Sequence, residues 1–169
     1  MLSEDHATAI AQRAPTEWFP SVVVDERGRV RRTDHRTSMQ HSLTDAATIE
    51  TLTEAASRAL GFSVTFSEGT FVRYTVGQYF RMHGDVADMD DAERSARHFT
   101  LVYCICAATR GGLTAFPRKR AHFDLRARDG LLWSNLLQNG AEDEAMDHEA
   151  RPVVEGEKII INAWFRRER

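Results

Sequence analysis

The tripeptide His83-Gly84-Asp85 is the part of the sequence best suited to bind a metal ion. It directly follows a run typical of a β-strand, and residues i and i+2 of an extended chain point to the same side. An imidazole and a carboxylate would therefore be presented together as two neighbouring ligands. Because His-x-Asp is common by chance, the tripeptide alone does not distinguish a metal site from an exposed segment. A third ligand is needed.

His148 is the best candidate for that third ligand. It is followed by Pro152 and Gly156, which mark a turn between two extended segments, and then by Lys158. We expect the segment to fold back as a hairpin around Val153, so that His148 and Lys158 face each other. Non-haem Fe(II) sites use two histidines and one carboxylate on one face of the metal, which leaves three coordination positions open.

The residue type at position 158 also indicates a specific role. The chain has 22 basic residues, and all except Lys119 and Lys158 are arginine. A compact ammonium beside a metal site suits the far carboxylate of a dicarboxylate that chelates the metal at its other end.

The elements that must position these residues change in type at Gly61. Before it, the pattern predicts a helix from Ser3 to about Arg13, a strand over 18–25 with a turn at 25–28, and a helix over 44–60. After it, alternation predicts strands at 62–66, 70–75, 78–82, 99–107, 113–116, 130–134 and 157–165, with turns at 67–69 and 110–112.

Many short strands in succession favour a sandwich or jelly roll over a parallel sheet. We therefore expect a mainly β fold with flanking helices (α+β). Its core would be a double-stranded β-helix, or jelly roll, at about 62–169. The N-terminal helices and strand, at about 1–61, would support this core, with the helices packed on one of its faces. Residues 1–169 would form a single domain.

Composition and charge exclude several kinds of partner. The 169 residues are 42% hydrophobic and 28% charged, with a net charge of −3. No apolar run approaches the ~20 residues that a membrane-spanning helix needs, so we expect no membrane partner. Residues 1–13 carry acidic residues where a secretory signal is basic, so we expect a cytoplasmic location. We expect no nucleic-acid partner, and a solvated loop at the basic stretch 118–128. The sequence leaves the oligomeric state unknown.

Several segments, in order along the chain, resemble the prolyl 4-hydroxylase branch of the 2-oxoglutarate dioxygenases. Residues 36–38 resemble the family's Arg-Thr-Ser segment before the long helix. Residues 74–85 are similar to a signature that begins Tyr-x-x-Gly and ends His-x-Asp. Residues 111–117 match Gly-Gly-x-Thr-x-Phe-Pro, and residues 148–158 with Trp164 match the closing pattern.

The resemblance implies an Fe(II)- and 2-oxoglutarate-dependent dioxygenase, with O2 as the oxidant and ascorbate as an optional reductant. It implies that His83, Asp85 and His148 bind the iron and form the catalytic centre. Related halogenases replace the carboxylate by a small residue, so an intact Asp85 favours hydroxylation.

The resemblance also assigns the co-substrate pocket. It implies that Lys158 pairs with the distal carboxylate of 2-oxoglutarate, that Tyr74 lies against the co-substrate, and that Thr114 and Trp164 line the pocket. Alternatively, Tyr74 and Trp164 are aromatic core residues. Family members commonly carry a Tyr where this chain has Cys104, which implies a different arrangement at the distal carboxylate.

The implied substrate is proline or another amino-acid-type molecule, peptidyl, free or carrier-tethered, with succinate and CO2 as the other products. We expect the loops 86–98 and 117–128 to face this small-molecule or peptide substrate. Two alternatives stay open: a zinc-binding jelly-roll domain without oxygenase activity, and a catalytically silent interaction module.

Overall fold

The N-terminal part of the molecule supplies its two longer helices. In this computed structural model, which describes residues 2–24, 30–31, 34–87 and 89–168, helix α1 (Glu4–Gln12) is capped by Ser3. Next come β1 (Phe19–Pro20), β2 (Val23–Val24), β3 (Val30–Arg31) and β4 (Met39–Ser42). Helix α2 (Ala46–Leu60) is capped by Asp45 and ends at Gly61, which adopts a left-handed conformation with φ 78°. Both predicted helices are confirmed, whereas the predicted turn at 25–28 lies outside the described residues.

The chain after Gly61 is mainly strand, as predicted. Its elements are β5 (Val64–Tyr74), β6 (Phe80–His83), α3 (Asp91–Ala96), β7 (Phe99–Cys106), β8 (Arg110–Gly111), β9 (Thr114–Phe116), β10 (Ala121–Phe123), β11 (Gly130–Ser134), β12 (His148–Ala150), β13 (Val153–Glu155) and β14 (Lys158–Arg167). Short 3-10 turns occur at Pro117–Lys119 and Glu144–Met146. None of the described helices has the length and apolar character needed to cross a membrane.

The described strands form two antiparallel sheets that face each other. The major sheet has the strand order β1-β4-β5-β14-β7-β11, and the minor sheet has the order β10-β9-β12-β6. The short pairs β13-β8 and β2-β3 stand apart from both. The predicted jelly-roll core with flanking helices is confirmed.

Two apolar clusters lie on opposite faces of the major sheet. The outer core, between the helices and the sheet, includes Ile10, Leu52, Phe71, Ile161 and Phe165. The inner core, between the two sheets, includes Val72, Val102, Phe116, Trp133 and Ile160. Successive side chains of a strand point to opposite faces, so each long strand contributes to both clusters.

The predicted break between two strands at 67–69 is wrong, because β5 continues through it. Trp164 of β14 lies opposite Glu68 and Phe165 lies opposite Phe66, so Ser67 is the extra residue of a β-bulge. The bulge shifts the alternation by one residue, which in the sequence looks like the end of a strand. Gly69 serves close packing rather than a turn, because an added Cβ would lie 3.0 Å from a methyl carbon of Leu43.

The predicted hairpin around Val153 is also wrong. Strand β12, which begins with His148, pairs with β6 and β9 of the minor sheet. Strand β14, which begins with Lys158, pairs with β5 and β7 of the major sheet. Val153 belongs to β13, which pairs with β8. His148 and Lys158 therefore belong to opposite sheets. They are brought near each other by the packing of the two sheets and not by a hairpin.

The two predicted substrate-facing loops contain regular structure that the sequence analysis did not predict. Helix α3 lies within 86–98 and begins with a capping box, in which Asp90 and Glu93 each accept a hydrogen bond from the other's backbone N–H. Strand β10 lies within 117–128 and pairs with β9 at the edge of the minor sheet.

Candidate metal centre

Two neighbouring strands of the minor sheet bring the candidate ligands together. His148, the first residue of β12, lies opposite His83, the last residue of β6. The Oδ1 atom of Asp85 lies 4.0 Å from Nε2 of His83 and 4.0 Å from Nε2 of His148. One ligand atom from each residue lies within 4.8 Å of the others. Two imidazoles and one carboxylate on one side of a shared point are the donor set of a non-haem iron site.

Backbone carbonyls fix the orientation of both imidazoles. Nδ1 of His83 lies 2.8 Å from the carbonyl oxygen of Arg81, and Nδ1 of His148 lies 3.1 Å from that of Met146. A carbonyl can only accept, so Nδ1 carries the proton in both rings and donates it. In a neutral ring, Nε2 then keeps its lone pair directed towards Asp85 and is available to a metal.

The protonation states of the site also suit a metal. Burial, reinforced by the nearby His148, lowers the pKa of His83 to about 3. Burial alone would raise the pKa of Asp85, but the two imidazoles and a hydrogen bond from Thr100 outweigh it, and the pKa lies below its ordinary value. At neutral pH His83 is therefore uncharged and Asp85 ionised, as coordination requires.

Aromatic side chains hold the two imidazole rings in place. The ring of Phe80 stacks on that of His83 with 3.5 Å between centroids and an interplanar angle of 14°. The ring of Trp133 meets that of His148 edge-on at 4.9 Å, and Phe116 lies 5.5 Å from the same ring. These contacts limit rotation of both imidazole rings.

Asp85 is held by residues to which the sequence analysis gave no role. Oγ1 of Thr100 lies 2.6 Å from Oδ2 of Asp85, and Arg97 donates to the Asp85 backbone oxygen at 3.0 Å. Thr100 stands in an otherwise apolar run, where a polar residue on the face shared with Val102 and Cys104 was the available signal. Arg97 carried no comparable signal, because arginine is this chain's ordinary surface charge.

Lys158 is a buried cation with an incomplete set of partners. Only 2% of it is exposed, and its Nζ donates to the Gly112 carbonyl oxygen at 2.6 Å and to Oγ1 of Thr114 at 3.3 Å. Within the described part of the chain no carboxylate forms an ion pair with it. Burial lowers its pKa, which is the electrostatic cost of a cation without a counter-ion. A ligand carboxylate would supply that counter-ion.

Tyr74 and Cys104 border the same space. Tyr74 lies opposite Lys158 in the β5–β14 pairing and is 3% exposed, and burial raises the pKa of its phenol. Cys104 faces the inner core while Tyr103 faces the outer core, as the strand parity predicts. Burial raises the pKa of Cys104 to about 11, so its side chain is a neutral thiol beside Lys158.

Trp164 lies further along β14, towards the metal ligands. It pairs in register with Thr100, the residue that hydrogen-bonds Asp85, and the guanidinium of Arg97 lies 4.4 Å above its ring. Its Nε1 is buried and has no hydrogen-bond partner among the described residues. The structure thus brings Lys158, Tyr74 and Thr114 together at one end of the inner face and puts Trp164 at the other.

Comparison with known families decides the classification. A family model described as the 2OG-Fe(II) oxygenase superfamily matches residues 69–166, which include all three candidate ligands and Lys158. The chain belongs to the 2OG-Fe(II) oxygenase superfamily. The predicted family is confirmed, and membership implies Fe(II), 2-oxoglutarate and O2 as metal and co-substrates.

Individual proteins show how far the similarity extends in sequence and in structure. The chain is 28% identical over 107 residues to prolyl 4-hydroxylase subunit alpha-1 of Homo sapiens, a match that covers 60% of this chain and 20% of that protein. A viral collagen prolyl hydroxylase from Paramecium Bursaria Chlorella virus-1, solved as a 2OG complex, superposes with a TM-score of 0.70 at 25% identity, covering 79% of this chain and 81% of that one. A Pseudomonas putida prolyl-4-hydroxylase shares the fold, with a TM-score of 0.65 at 20% identity over 99% of this chain and 89% of that one. The chain thus spans about a fifth of the length of the human relative.

The residues present fit the superfamily's metal. Two imidazole nitrogens and one carboxylate oxygen lie within 4.8 Å of one another, and the buried ammonium of Lys158, which forms no ion pair with a described carboxylate, lies between the same two sheets. One further cation, the half-buried Arg36, lacked an assigned role in the sequence analysis. Nη2 of Arg36 is buried without a hydrogen-bond partner among the described residues, and its guanidinium lies 4.7 Å above Phe80, the ring that stacks on His83.

Proposed function

We propose that this protein is an Fe(II)- and 2-oxoglutarate-dependent dioxygenase that hydroxylates an unactivated C–H bond of proline or another amino-acid-type substrate. The other products would be succinate and CO2. His83, Asp85 and His148 would hold the iron, and Lys158 would bind the distal carboxylate of 2-oxoglutarate. The expected cytoplasmic location and single-domain organisation stay predictions.

The observation that carries this proposal is the buried, incompletely paired ammonium of Lys158 in the same inter-sheet space as the three ligands. Lys158 reaches across from the major sheet to Thr114 of β9, which lies opposite Ala150 of β12. Ala150 is two residues from His148, or roughly 6.6 Å along the strand. A short dicarboxylate can therefore contact Lys158 at one end and the metal at the other.

The chain's own residues would bind, orient and shield the reactants. When bound, Fe(II) with 2-oxoglutarate supplies the chemistry that uses O2 to decarboxylate the co-substrate and to place one oxygen atom in a C–H bond. His83, Asp85 and His148 would hold the metal through three neighbouring ligand atoms and would leave its other coordination positions to the reactants. Lys158 and Thr114 fix the far end of the co-substrate, and the apolar walls formed by Phe80, Phe116 and Trp133 exclude water.

The amino-acid character of the proposed substrate rests on the similarity to prolyl hydroxylases and on Arg36. The unpaired nitrogen of Arg36 belongs to a guanidinium 4.7 Å from the ring of Phe80, which itself stacks on His83, and this nitrogen suits an oxygen acceptor. A carboxylate of a free amino acid and a carbonyl of a peptide or a carrier-bound amino acid both supply such an acceptor. Segments 86–98 and 117–128 would provide the remaining contacts.

Metal reconstitution and oxygen uptake test the reaction class. Protein reconstituted with Fe(II) should consume O2 and form succinate from 2-oxoglutarate, whereas protein reconstituted with Zn(II) should do neither. A chain that binds Zn(II) tightly but forms no succinate with Fe(II) would be a metal-binding domain without oxygenase activity. Absence of binding for both metals would favour the silent interaction module. Either result would overturn the proposal.

A substrate screen tests the proposal that the substrate is of amino-acid type. Free amino acids, proline-rich peptides and carrier-bound aminoacyl groups would be incubated with the Fe(II) protein, 2-oxoglutarate and O2. Mass spectrometry should detect the gain of one oxygen atom in at least one amino-acid-type substrate, in amounts that match the succinate formed. Stimulation of succinate formation by a class of molecule without an amino-acid unit would contradict this assignment.

A further inference from the structure

A buried series of hydrogen bonds orients the carboxylate of Asp85. The series begins at Trp133, which is not one of the proposed metal ligands. Nε1 of Trp133 lies 2.7 Å from Oδ1 of Asn135, Nδ2 of Asn135 lies 2.7 Å from Oγ1 of Thr100, and Oγ1 of Thr100 lies 2.6 Å from Oδ2 of Asp85. None of these residues is more than 8% exposed. Water therefore has little access to compete for these bonds.

The direction of every hydrogen bond from Trp133 to Asp85 follows from the types of donor. An indole N–H can only donate, so the Asn135 atom that faces Trp133 must be its carbonyl oxygen. The amide nitrogen of Asn135 then faces Thr100, and it also donates to the backbone oxygen of Arg97 at 2.8 Å. Since Thr100 accepts from Asn135, its single hydroxyl proton is left for Asp85.

Backbone hydrogen bonds hold Asn135, which links Trp133 to Thr100, in place. Asn135 follows the end of β11, its backbone N–H donates to the oxygen of His98 at 2.8 Å, and its own oxygen accepts from Asp143 at 2.9 Å. Trp133 and Thr100 lie opposite each other in the β11–β7 pairing. Strand pairing therefore places both hydrogen-bond partners of the Asn135 side chain next to each other.

We propose that Thr100, oriented by Asn135 and Trp133, is a positioning residue that occupies Oδ2 of Asp85, so that only Oδ1 is free to ligate the metal. This inference rests on the proposed function. Oδ1 is the atom that lies 4.0 Å from both Nε2 nitrogens. A carboxylate held in this way takes one coordination position rather than two, which keeps the opposite side of the metal open for co-substrate and oxygen.

Trp133 has a second contact that strengthens this role. Its ring packs edge-on against His148 at 4.9 Å, while its N–H begins the chain of hydrogen bonds that ends on Asp85. One side chain therefore restrains two of the three metal ligands. Residues that orient metal ligands in this way typically contribute ~10–100-fold to metal affinity.

Mn(II) binding to the metal-free protein under anaerobic conditions tests the inference without reference to activity. Thr100→Val keeps the shape but removes the hydroxyl, and it should weaken Mn(II) binding ~10–100-fold. It should also change the Co(II) absorption spectrum, since Asp85 would become free to coordinate through both oxygens. Thr100→Ser, which restores the hydroxyl, should bind Mn(II) close to the wild-type affinity.

Thr48→Val is the matched control. Thr48 is also a threonine with a buried hydroxyl, but it lies on α2, on the outer side of the major sheet, and that hydroxyl has no hydrogen-bond partner among the described residues. Thr48→Val should leave Mn(II) affinity and the Co(II) spectrum unchanged. Wild-type Mn(II) affinity in Thr100→Val, or equal losses in both variants, would overturn the inference.

Two further variants keep the outcomes distinct. If Thr100→Val does not fold, Trp133→Phe, which keeps an aromatic ring on His148, decides instead: a loss of about 2–10-fold supports the inference, and wild-type affinity overturns it. His83→Ala reports on the proposed function itself. If His83→Ala loses Mn(II) binding while folded Thr100→Val keeps it, only the positioning inference fails. If His83→Ala binds Mn(II) as wild type does, the ligand assignment fails, and the inference fails with it.

Discussion

The outer core and the inner core lie on opposite faces of the same strands but contain different kinds of residue. The outer core is closed by α1 and α2 and is formed by aliphatic and aromatic side chains. The inner face carries the buried ammonium of Lys158, the thiol of Cys104 and the hydroxyl groups of Tyr74 and Thr100. Some of its polar atoms, such as Nε1 of Trp164, have no partner in the described part of the chain.

This difference indicates that the two faces of the major sheet have different roles, one in stability and the other in binding. Burial of apolar area on the outer face stabilises the fold, whereas buried polar groups without partners on the inner face cost stability. Such groups are retained where a ligand completes them. Substitutions on the outer face should therefore change the free energy of unfolding, and substitutions on the inner face should change binding and turnover.

The largest expected effect is at the metal ligands. His83→Ala or Asp85→Ala should abolish succinate formation, because each removes one of three ligands, while the melting temperature stays close to that of the wild type. His6→Ala is the matched control, since His6 is an exposed histidine of α1. Wild-type turnover in either ligand variant would refute the ligand assignment.

The next effect tests the outer core. Leu52→Ala removes a side chain that is 0% exposed, and it should lower the free energy of unfolding by about 2–5 kcal/mol. The KM for 2-oxoglutarate of the folded fraction should not change. Denaturant titration would measure the first quantity and initial rates the second. Leu137→Ala, at a leucine that is 46% exposed, should cost less than about 0.5 kcal/mol. A raised KM in Leu52→Ala would show that the two faces are not separable.

Lys158→Ala should raise the KM for 2-oxoglutarate by roughly 30-fold, because a hydrogen bond to a charged group contributes about 1.5–3 kcal/mol. Succinate formation at saturating co-substrate should be reduced far less than the KM changes. Lys119→Ala removes the chain's other lysine, which is exposed, and should leave the KM for 2-oxoglutarate unaltered. An unchanged KM in Lys158→Ala would remove Lys158 from the co-substrate site.

The smallest effect is expected at Thr114. Thr114→Val removes one of the two acceptors that hold the Lys158 ammonium, at 3.3 Å, and should raise the KM for 2-oxoglutarate by about 2–10-fold. Steady-state kinetics with varied 2-oxoglutarate would measure it. A larger increase than in Lys158→Ala would mean that Thr114 contacts the co-substrate more directly than Lys158 does.

Local signals in the sequence predicted much of the fold. Ser3, Asp45 and Gly61 mark helix ends because capping depends on neighbouring backbone groups alone. The strand Gly130–Ser134 also matches its predicted bounds. By contrast, the bulge at Ser67 escaped prediction, because a bulge is defined by the partner strand, and a shift in alternation resembles a strand end.

The candidate site was predicted in its residue types but not in its construction. His83, Asp85 and His148 do meet, yet they meet through the pairing of β12 with β6 rather than through a hairpin with Lys158. Thr100 and Asn135, which lie far from the ligands in sequence, were not assigned any role. Their contacts with Asp85 depend on strand pairings whose partners the sequence does not specify.

The sequence by itself determined which groups are available for chemistry, where the two longer helices lie and, away from the bulge at Ser67, which residues of a strand share a face. These properties depend on residue type and on neighbours a few positions away. Only the tertiary structure decided which strands become neighbours, and with them the point where the ligands meet, the enclosure of Lys158 and the hydrogen bonds to Asp85. Those outcomes depend on contacts between residues distant in sequence, because two sheets must bury their shared inner face together.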